Sequence, residues 1–198
     1  MLWYGKTAYK KRNPSNNKKQ TSGRFEKAGS GFRGYADVHA SVKAIVWIVG
    51  GPDVVIQALL EVLGREGTLM MLASWEDSPW GAPHKFAEWP EEWQRAYLEE
   101  FPPFDSVTSR AHRKWSILTE YLRKWSGACR SNNPEASCVA VGAKAKWLTE
   151  NHPLQYGYGP GSPFAKLCEA NGKVLLPARG VLARLEKLNH TSLMRRIC

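Results

Sequence analysis

The sequence has no apolar run of about 18 residues, the length a membrane-crossing helix needs, so no membrane partner is expected. Its start has no charged-then-apolar pattern, so export is not expected and the protein is assigned to the cytoplasm. The four cysteines, Cys129, Cys138, Cys168 and Cys198, form no Cys-x-x-Cys pair and no metal-ligand spacing. They read as isolated thiols in a reducing compartment, and no metal is expected. No Gly-Lys-Ser/Thr follows the glycine-rich stretch at 157–163, so that stretch is not a P-loop. No internal repeat is visible, and 198 residues suit one domain with a sizeable core.

Negative charge is scarce in one place. Residues 1–34 hold one acid, Glu26, against nine basic residues: Lys6, Lys10, Lys11, Arg12, Lys18, Lys19, Arg24, Lys27 and Arg33. This arm supplies +8 of the net +10, and the rest of the chain is nearly neutral. Such an arm suits nucleic acid, an acidic surface or plain solvent. Few aliphatic residues and no helical period favour a disordered leader over 1–34, with the folded domain over 35–198. Aromatic and basic residues are not interleaved at recognition-module spacing, which ranks nucleic acid last among partners.

Strand and helix signals then alternate. Tyr35–Val38 is short, apolar and β-prone, as a buried strand is. Pro52 and Asp53 suit a helix start, and Val54, Val55, Ala58, Leu59, Val62 and Leu63 form one apolar stripe ending at a Gly64 cap. Residues 67–74 carry the continuous run Leu69-Met70-Met71-Leu72, read as a strand buried on both faces of a parallel sheet. Further helices are expected over 91–101, 113–125 and 143–150, with strands over 137–141 and 173–176. Ser162 is expected to cap a helix that starts at Pro163. The fold expected is α/β, a three-layer sandwich with a mostly parallel central sheet, incomplete at the C-terminus.

Ligands of open α/β sheets sit outside the carboxyl ends of strands, which is where His39 and Ser41 fall. The plain alternative is that His39 is a packed, hydrogen-bonded histidine. Trp75, Trp80 and Phe104 beside Glu76, Asp77 and Asp105 read by themselves as an ordinary polar surface loop with buried tryptophans. The loop at 157–163 reads by itself as a turn.

Several motifs carry a resemblance. They are Asp37-Val38-His39-Ala40-Ser41-Val42-Lys43-Ala44-Ile45, Val49-Gly50-Gly51, Glu66-Gly67-Thr68-Leu69-Met70, Ala73-Ser74-Trp75-Glu76-Asp77-Ser78-Pro79, Pro102-Pro103-Phe104-Asp105, Arg130-Ser131 with Pro134, and Gly161-Ser162-Pro163. In this order and spacing the chain resembles the aminoglycoside 3-N-acetyltransferase family over roughly residues 35–176. The resemblance implies acetyl-CoA as co-substrate and the 3-amino group of an aminoglycoside antibiotic as acceptor. It places His39, Ala40, Ser41, Val42, Ser109 and Ser162 along the coenzyme and Trp75, Glu76, Asp77, Phe104 and Asp105 along the acceptor. A homodimer stays open.

The resemblance also implies a histidine base in an Asn-Thr-Ser/Ala-Leu-His-x-x-Glu stretch. Leu188-Asn189-His190-Thr191-Ser192-Leu193-Met194 is similar, but Met194 stands at the histidine position and His190 is four positions early. No catalytic residue is therefore matched, and His39 and His190 are the remaining candidates. Asn133 also replaces a family histidine, Ser116 a glycine and Ser126 a proline. Three functions compete: an active acetyltransferase, a degenerate relative that keeps at most CoA binding, and a basic-arm nucleic-acid binder. Both ends depart abruptly from the family pattern, and the reading is that they are out-of-frame translation of a once-intact gene. Translating the encoding DNA in its other frames checks this. A Leu-His-x-x-Glu continuation just past codon 189 is expected, and its absence from every frame, with no family leading helix upstream, overturns the reading.

Overall fold

The four residues of β1 (Tyr35–Val38) lie near the centre of a six-stranded sheet ordered β3-β4-β2-β1-β5-β6. The computed structural model describes Ser22 and residues 34–38, 49–76, 86–113, 116–176 and 181–184. The elements in chain order are β1, α1 (Gly51–Leu63), β2 (Thr68–Leu72), α2 (Glu91–Glu100), α3 (Ile117–Arg123), β3 (Cys129–Arg130), β4 (Cys138–Gly142), α4 (Ala145–Thr149), α5 (Pro163–Glu169), β5 (Lys173–Leu176) and β6 (Val181–Arg184).

Every residue of β2 is buried, and its alternate side chains enter two separate cores. Leu69 and Met71 pack with Val55, Ile56, Leu59, Leu118 and Leu122 of α1 and α3. Met70 and Leu72 pack with Ala145, Leu148, Phe164 and Leu167 of α4 and α5. The three-layer α/β expectation therefore holds, because a strand that is apolar on both faces needs helices on both.

One detail of the expectation is corrected. The sheet is mixed rather than mostly parallel: β1 runs parallel to β2 and to β5, while the β2–β4, β3–β4 and β5–β6 pairs are antiparallel. A continuous apolar run reports burial on both faces, not strand direction. The long connection from β2 to β4 returns the chain against β2 in the opposite sense, with Met70 facing Ala140. Two strands escaped the sequence pattern, the two-residue β3 and β6, which lies in a stretch with only patchy apolar residues.

Local signals place the helices. Gly64 caps α1 with its N–H on the Leu60 carbonyl at 3.0 Å, at φ +70°. Helix α3 starts at Ile117, later than the expected 113, because the Ser116 hydroxyl caps it by accepting from the Leu118 N–H at 3.2 Å. Its inner face is Leu118 and Leu122, as expected, while Tyr121 is exposed. Ser162 caps α5 by accepting from the Ala165 N–H at 3.2 Å. Among the described residues no helix is long and apolar enough to cross a membrane.

The turn after β4 wraps over the start of β2. Gly142 has φ +131°, and a Cβ there would lie 2.2 Å from the Gly67 carbonyl oxygen. Gly142→Ala is expected to cost about 2–4 kcal/mol through backbone strain and that clash, read as a lower urea midpoint with an unchanged m-value.

Candidate active site

Past Leu72 the β2 chain leaves the apolar layers and is stitched on both sides. The Ala73 and Trp75 N–H groups donate to the Ser137 and Pro134 carbonyls at 2.6 and 2.8 Å. On the other side Glu76 N–H donates to Arg110 O at 2.9 Å, and His112 N–H to Ser74 O at 2.8 Å, around a Trp75–Ala111 bridge. Trp75 is 7% exposed and lies beneath Phe101 and Phe104, at ring-centroid distances of 5.3 and 5.6 Å. Phe104 is half-buried above it.

The two described carboxylates expected at this mouth are held differently. Asp105 is exposed, and its Oδ1 accepts from the Thr108 and Val107 N–H groups and the Thr108 hydroxyl at 2.6, 2.9 and 2.9 Å. Those bonds hold its carboxyl below the usual carboxylate range. Glu76 is partly desolvated, which raises its carboxyl, but the Arg113 backbone and side-chain bonds, with the charges of His112 and Arg113, outweigh that and lower it. Glu76 is thus already paired with Arg113 at 3.2 Å, whereas Asp105 faces solvent.

Segment 104–113 is fixed from below by two cations. Arg123 donates to the Val107 carbonyl and binds Glu120 through Nε and Nη2 at 2.9 and 2.6 Å, while Glu120 accepts the Ala111 N–H at 3.0 Å. Arg130 donates from Nε to the Ser137 hydroxyl at 3.1 Å and from its two terminal nitrogens to the Ser109 and Ala73 carbonyls. Its guanidinium lies 4.9 Å from the Phe104 ring centre, a cation–π distance. Burial, then the charge of Arg123, pulls Arg130 down to about 10, so it remains a cation at neutral pH.

A second polar group ties the 131–137 turn to the glycine-rich loop. Buried Ser131 accepts from the Cys138 N–H at 2.9 Å and donates to His152 Nδ1 at 2.9 Å. His152 Nε2 then donates to the Gly157 carbonyl at 3.1 Å. This pattern fixes the neutral tautomer, and burial lowers the imidazole's affinity for a proton. Asn133 accepts from the Glu135 and Ala136 N–H groups and donates to the Pro153 and Leu154 carbonyls. A histidine at 133 has too few polar atoms for that set. A short turn joins α5 to β5, so Ser162 at the start of α5 lies toward the carboxyl edge of β1.

The family profile for aminoglycoside 3-N-acetyltransferases matches residues 38–178. Aminoglycoside N(3)-acetyltransferase III of Pseudomonas aeruginosa is 50% identical over 139 residues, 70% of this chain and 50% of its own length.

The chain belongs to the aminoglycoside 3-N-acetyltransferase family.

Aminoglycoside N(3)-acetyltransferase VII of Streptomyces paromomycinus is 44% identical over 138 residues, 70% of this chain and 47% of its own length. The chain thus spans about half the length of the curated relatives it matches. Two solved structures share the fold at TM-score 0.71 while each covers 81% of this chain: AAC-IIIb in binary complex with CoASH, 41% identical, and AAC-VIa bound to sisomicin, 28% identical. This chain covers 58% of each of them.

Of the residues the family resemblance singles out, the structure brings Trp75, Glu76, Phe104, Asp105 and Ser109 together at the β2 tip. Ser109 closes that loop, its hydroxyl accepting from the Asp105 N–H at 2.9 Å. Ser162 is fully buried, its oxygen committed to the cap. The glycine-rich loop that precedes it is tied to the 131–137 turn through the bonds from Gly157 to His152 to Ser131. His39, Ala40, Ser41, Val42, Asp77, Trp80, His190 and Met194 lie outside the described residues. Arg130, His112, Glu120 and Arg123 carried no role in the sequence reading. Arg130 stood inside a quoted motif, and that was the one signal pointing to it.

Glu120 supplies a pH test of the scaffold. Burial raises its carboxyl, but the bonds from Arg123, the Ala111 N–H and Lys124 win and hold it down at about 2, against 4.5 unperturbed. A carboxyl depressed by folding adds stability above its unfolded pKa and loses it as pH falls through the folded one. Glu120→Gln is therefore expected to lose about 1–2 kcal/mol at pH 7, discounted for its partial exposure. Paired urea titrations should show that gap shrinking below pH 4.5 and closing near pH 2.

Proposed function

We propose that this chain carries the coenzyme and acceptor surfaces of an acetyl-CoA-dependent N-acetyltransferase acting on the 3-amino group of aminoglycoside antibiotics, and so serves in resistance to them. The observation that carries the reading is 50% identity over 139 residues to a curated enzyme with that name, supported by the meeting of Trp75, Glu76, Phe104, Asp105 and Ser109 at the β2 tip. Acetyl-CoA lies along the tip of β1, over residues 39–42, with Ser109 and Ser162 flanking it. The aminoglycoside, a polycation, meets Asp105 and the Phe104 face, and Asp77 adds charge there. Trp75 acts from beneath, as the support of Phe104.

The chemistry is a direct transfer. The acceptor ammonium gives up a proton, its nitrogen attacks the thioester carbonyl, the C–S bond breaks, and CoA leaves as the thiol. The proton needs a base, and a positioned one contributes roughly 10²–10⁴-fold. Met194 at the family's histidine position favours a second reading, a relative that binds CoA with little or no turnover; His39 and His190 are the candidate bases that the sequence offers. The buried, neutral His152 is spent on Ser131 and Gly157 and does not serve. The domain division at residue 34 and a reducing cytoplasm, which keeps Cys129, Cys138 and Cys168 as thiols, belong to the same proposal. A homodimer is compatible with it, and binding of nucleic acid through residues 1–34 ranks last.

Calorimetric titration of the chain with acetyl-CoA, followed by a free-thiol assay with gentamicin or kanamycin, tests the reading. Acetyl-CoA binding with antibiotic-dependent CoA release is expected for the enzyme. Binding without release selects the degenerate relative, and no binding sinks both. Salt-sensitive DNA binding that vanishes on deleting residues 1–34 selects the third function.

A further inference from the structure

Arg130 is a half-buried cation whose described hydrogen-bond and ring partners are all neutral, two backbone carbonyls, one hydroxyl and one aromatic face, while Glu120 and Asp105 act on it through charge alone. Those four partners come from three separate segments. Ala73 is the first residue past β2, Ser137 precedes β4, and Phe104 and Ser109 are the two ends of the loop that carries Asp105. A single planar fork thus spans the gap between the β2 tip and that loop. Lysine has the charge but one donor centre, so it cannot hold both carbonyls and a ring face in one plane.

We propose that Arg130 is the positioning residue of this site, setting the separation between the β2 tip and the Phe104–Asp105–Ser109 loop and with it the width of the acceptor mouth. The inference rests on the proposed acetyltransferase reading for what the mouth binds, but the geometry it asserts is independent of that reading. Loss of the fork frees the Phe104 ring and the Ser109 carbonyl, while Val107 and Ala111 stay tied to Arg123 and Glu120. The loop therefore shifts rather than unfolds. Ser131, Asn133 and His152, which hold the neighbouring turn, bond to groups other than the guanidinium among the described hydrogen bonds and keep those bonds.

The test uses the full chain with Arg130→Lys and, as a milder variant in case that one folds poorly, Phe104→Leu. Kanamycin titrated calorimetrically into the acetyl-CoA-saturated protein gives affinity and stoichiometry separately. A dissociation constant raised about tenfold at unchanged stoichiometry is expected for Arg130→Lys, and a smaller rise for Phe104→Leu. An unchanged dissociation constant with reduced stoichiometry means that Arg130 only supports folding, and overturns the proposal. Should the parent chain bind no kanamycin, the transferase reading fails, and amide hydrogen exchange decides the positioning claim alone. Faster exchange at Val107, Thr108 and Ser109 with unchanged exchange at Cys138 is then expected in both variants. Equal exchange at all four overturns the claim.

Discussion

The complete burial of β2 is the constraint on which the rest depends. A strand apolar on both faces cannot stand at a surface, so helices must cover it twice: α1 and α3 on one side, α4 and α5 on the other. Its backbone is paired on both edges, by β1 and by β4. Apart from Thr68, whose hydroxyl accepts the Lys144 N–H at 2.9 Å, its side chains are apolar, and polar chemistry is displaced to the point where the chain escapes at Ala73. The aromatic support, the paired carboxylates and Arg130 all gather within a few residues of that exit.

Much of the polar inventory at the exit is consumed in holding the exit together. Glu76 is neutralised by Arg113, Glu120 by Arg123, and the Ser131–His152 pair closes on the Cys138 amide and the Gly157 carbonyl. Buried polar groups left without partners cost free energy, so such groups arrive in satisfied sets. A serine beside a histidine at 2.9 Å has the spacing of a nucleophile and its base. Here both are buried and both remaining bonds are to backbone, which makes the pair a clasp between a turn and a loop. The same reasoning turns Asn133 from a lost proton carrier into a four-bonded cross-link between 135–136 and 153–154.

What remains available to a ligand is correspondingly limited. Asp105 keeps its second carboxylate oxygen clear of its own turn among the described bonds, and Phe104 keeps partial exposure while lying between Trp75 and Arg130. These two residues sit on a loop that owes its place to cations contributed by α3 and β3. Recognition and scaffold are therefore coupled at this mouth, since the groups that meet a ligand and the groups that hold them share one set of hydrogen bonds.

The sequence by itself determined the elements with a local cause. The apolar run at 69–72, the stripe of α1, the glycine cap at 64 and the serine cap at 162 each follow from neighbouring residues, and the ordered motifs identified the family. Strand direction, the brief β3 and the late β6 were not legible, because apolar periodicity records burial and carries no sense of direction or partner. The site divided in the same way. Trp75, Glu76, Phe104 and Asp105 were legible as residue types in a motif, but the pairing of Glu76, the support role of Trp75 and the bridging role of Arg130 were decided only by tertiary structure. The bridging role depends on carbonyls 57 and 21 residues away in the chain, which only the folded sheet brings within reach of one guanidinium.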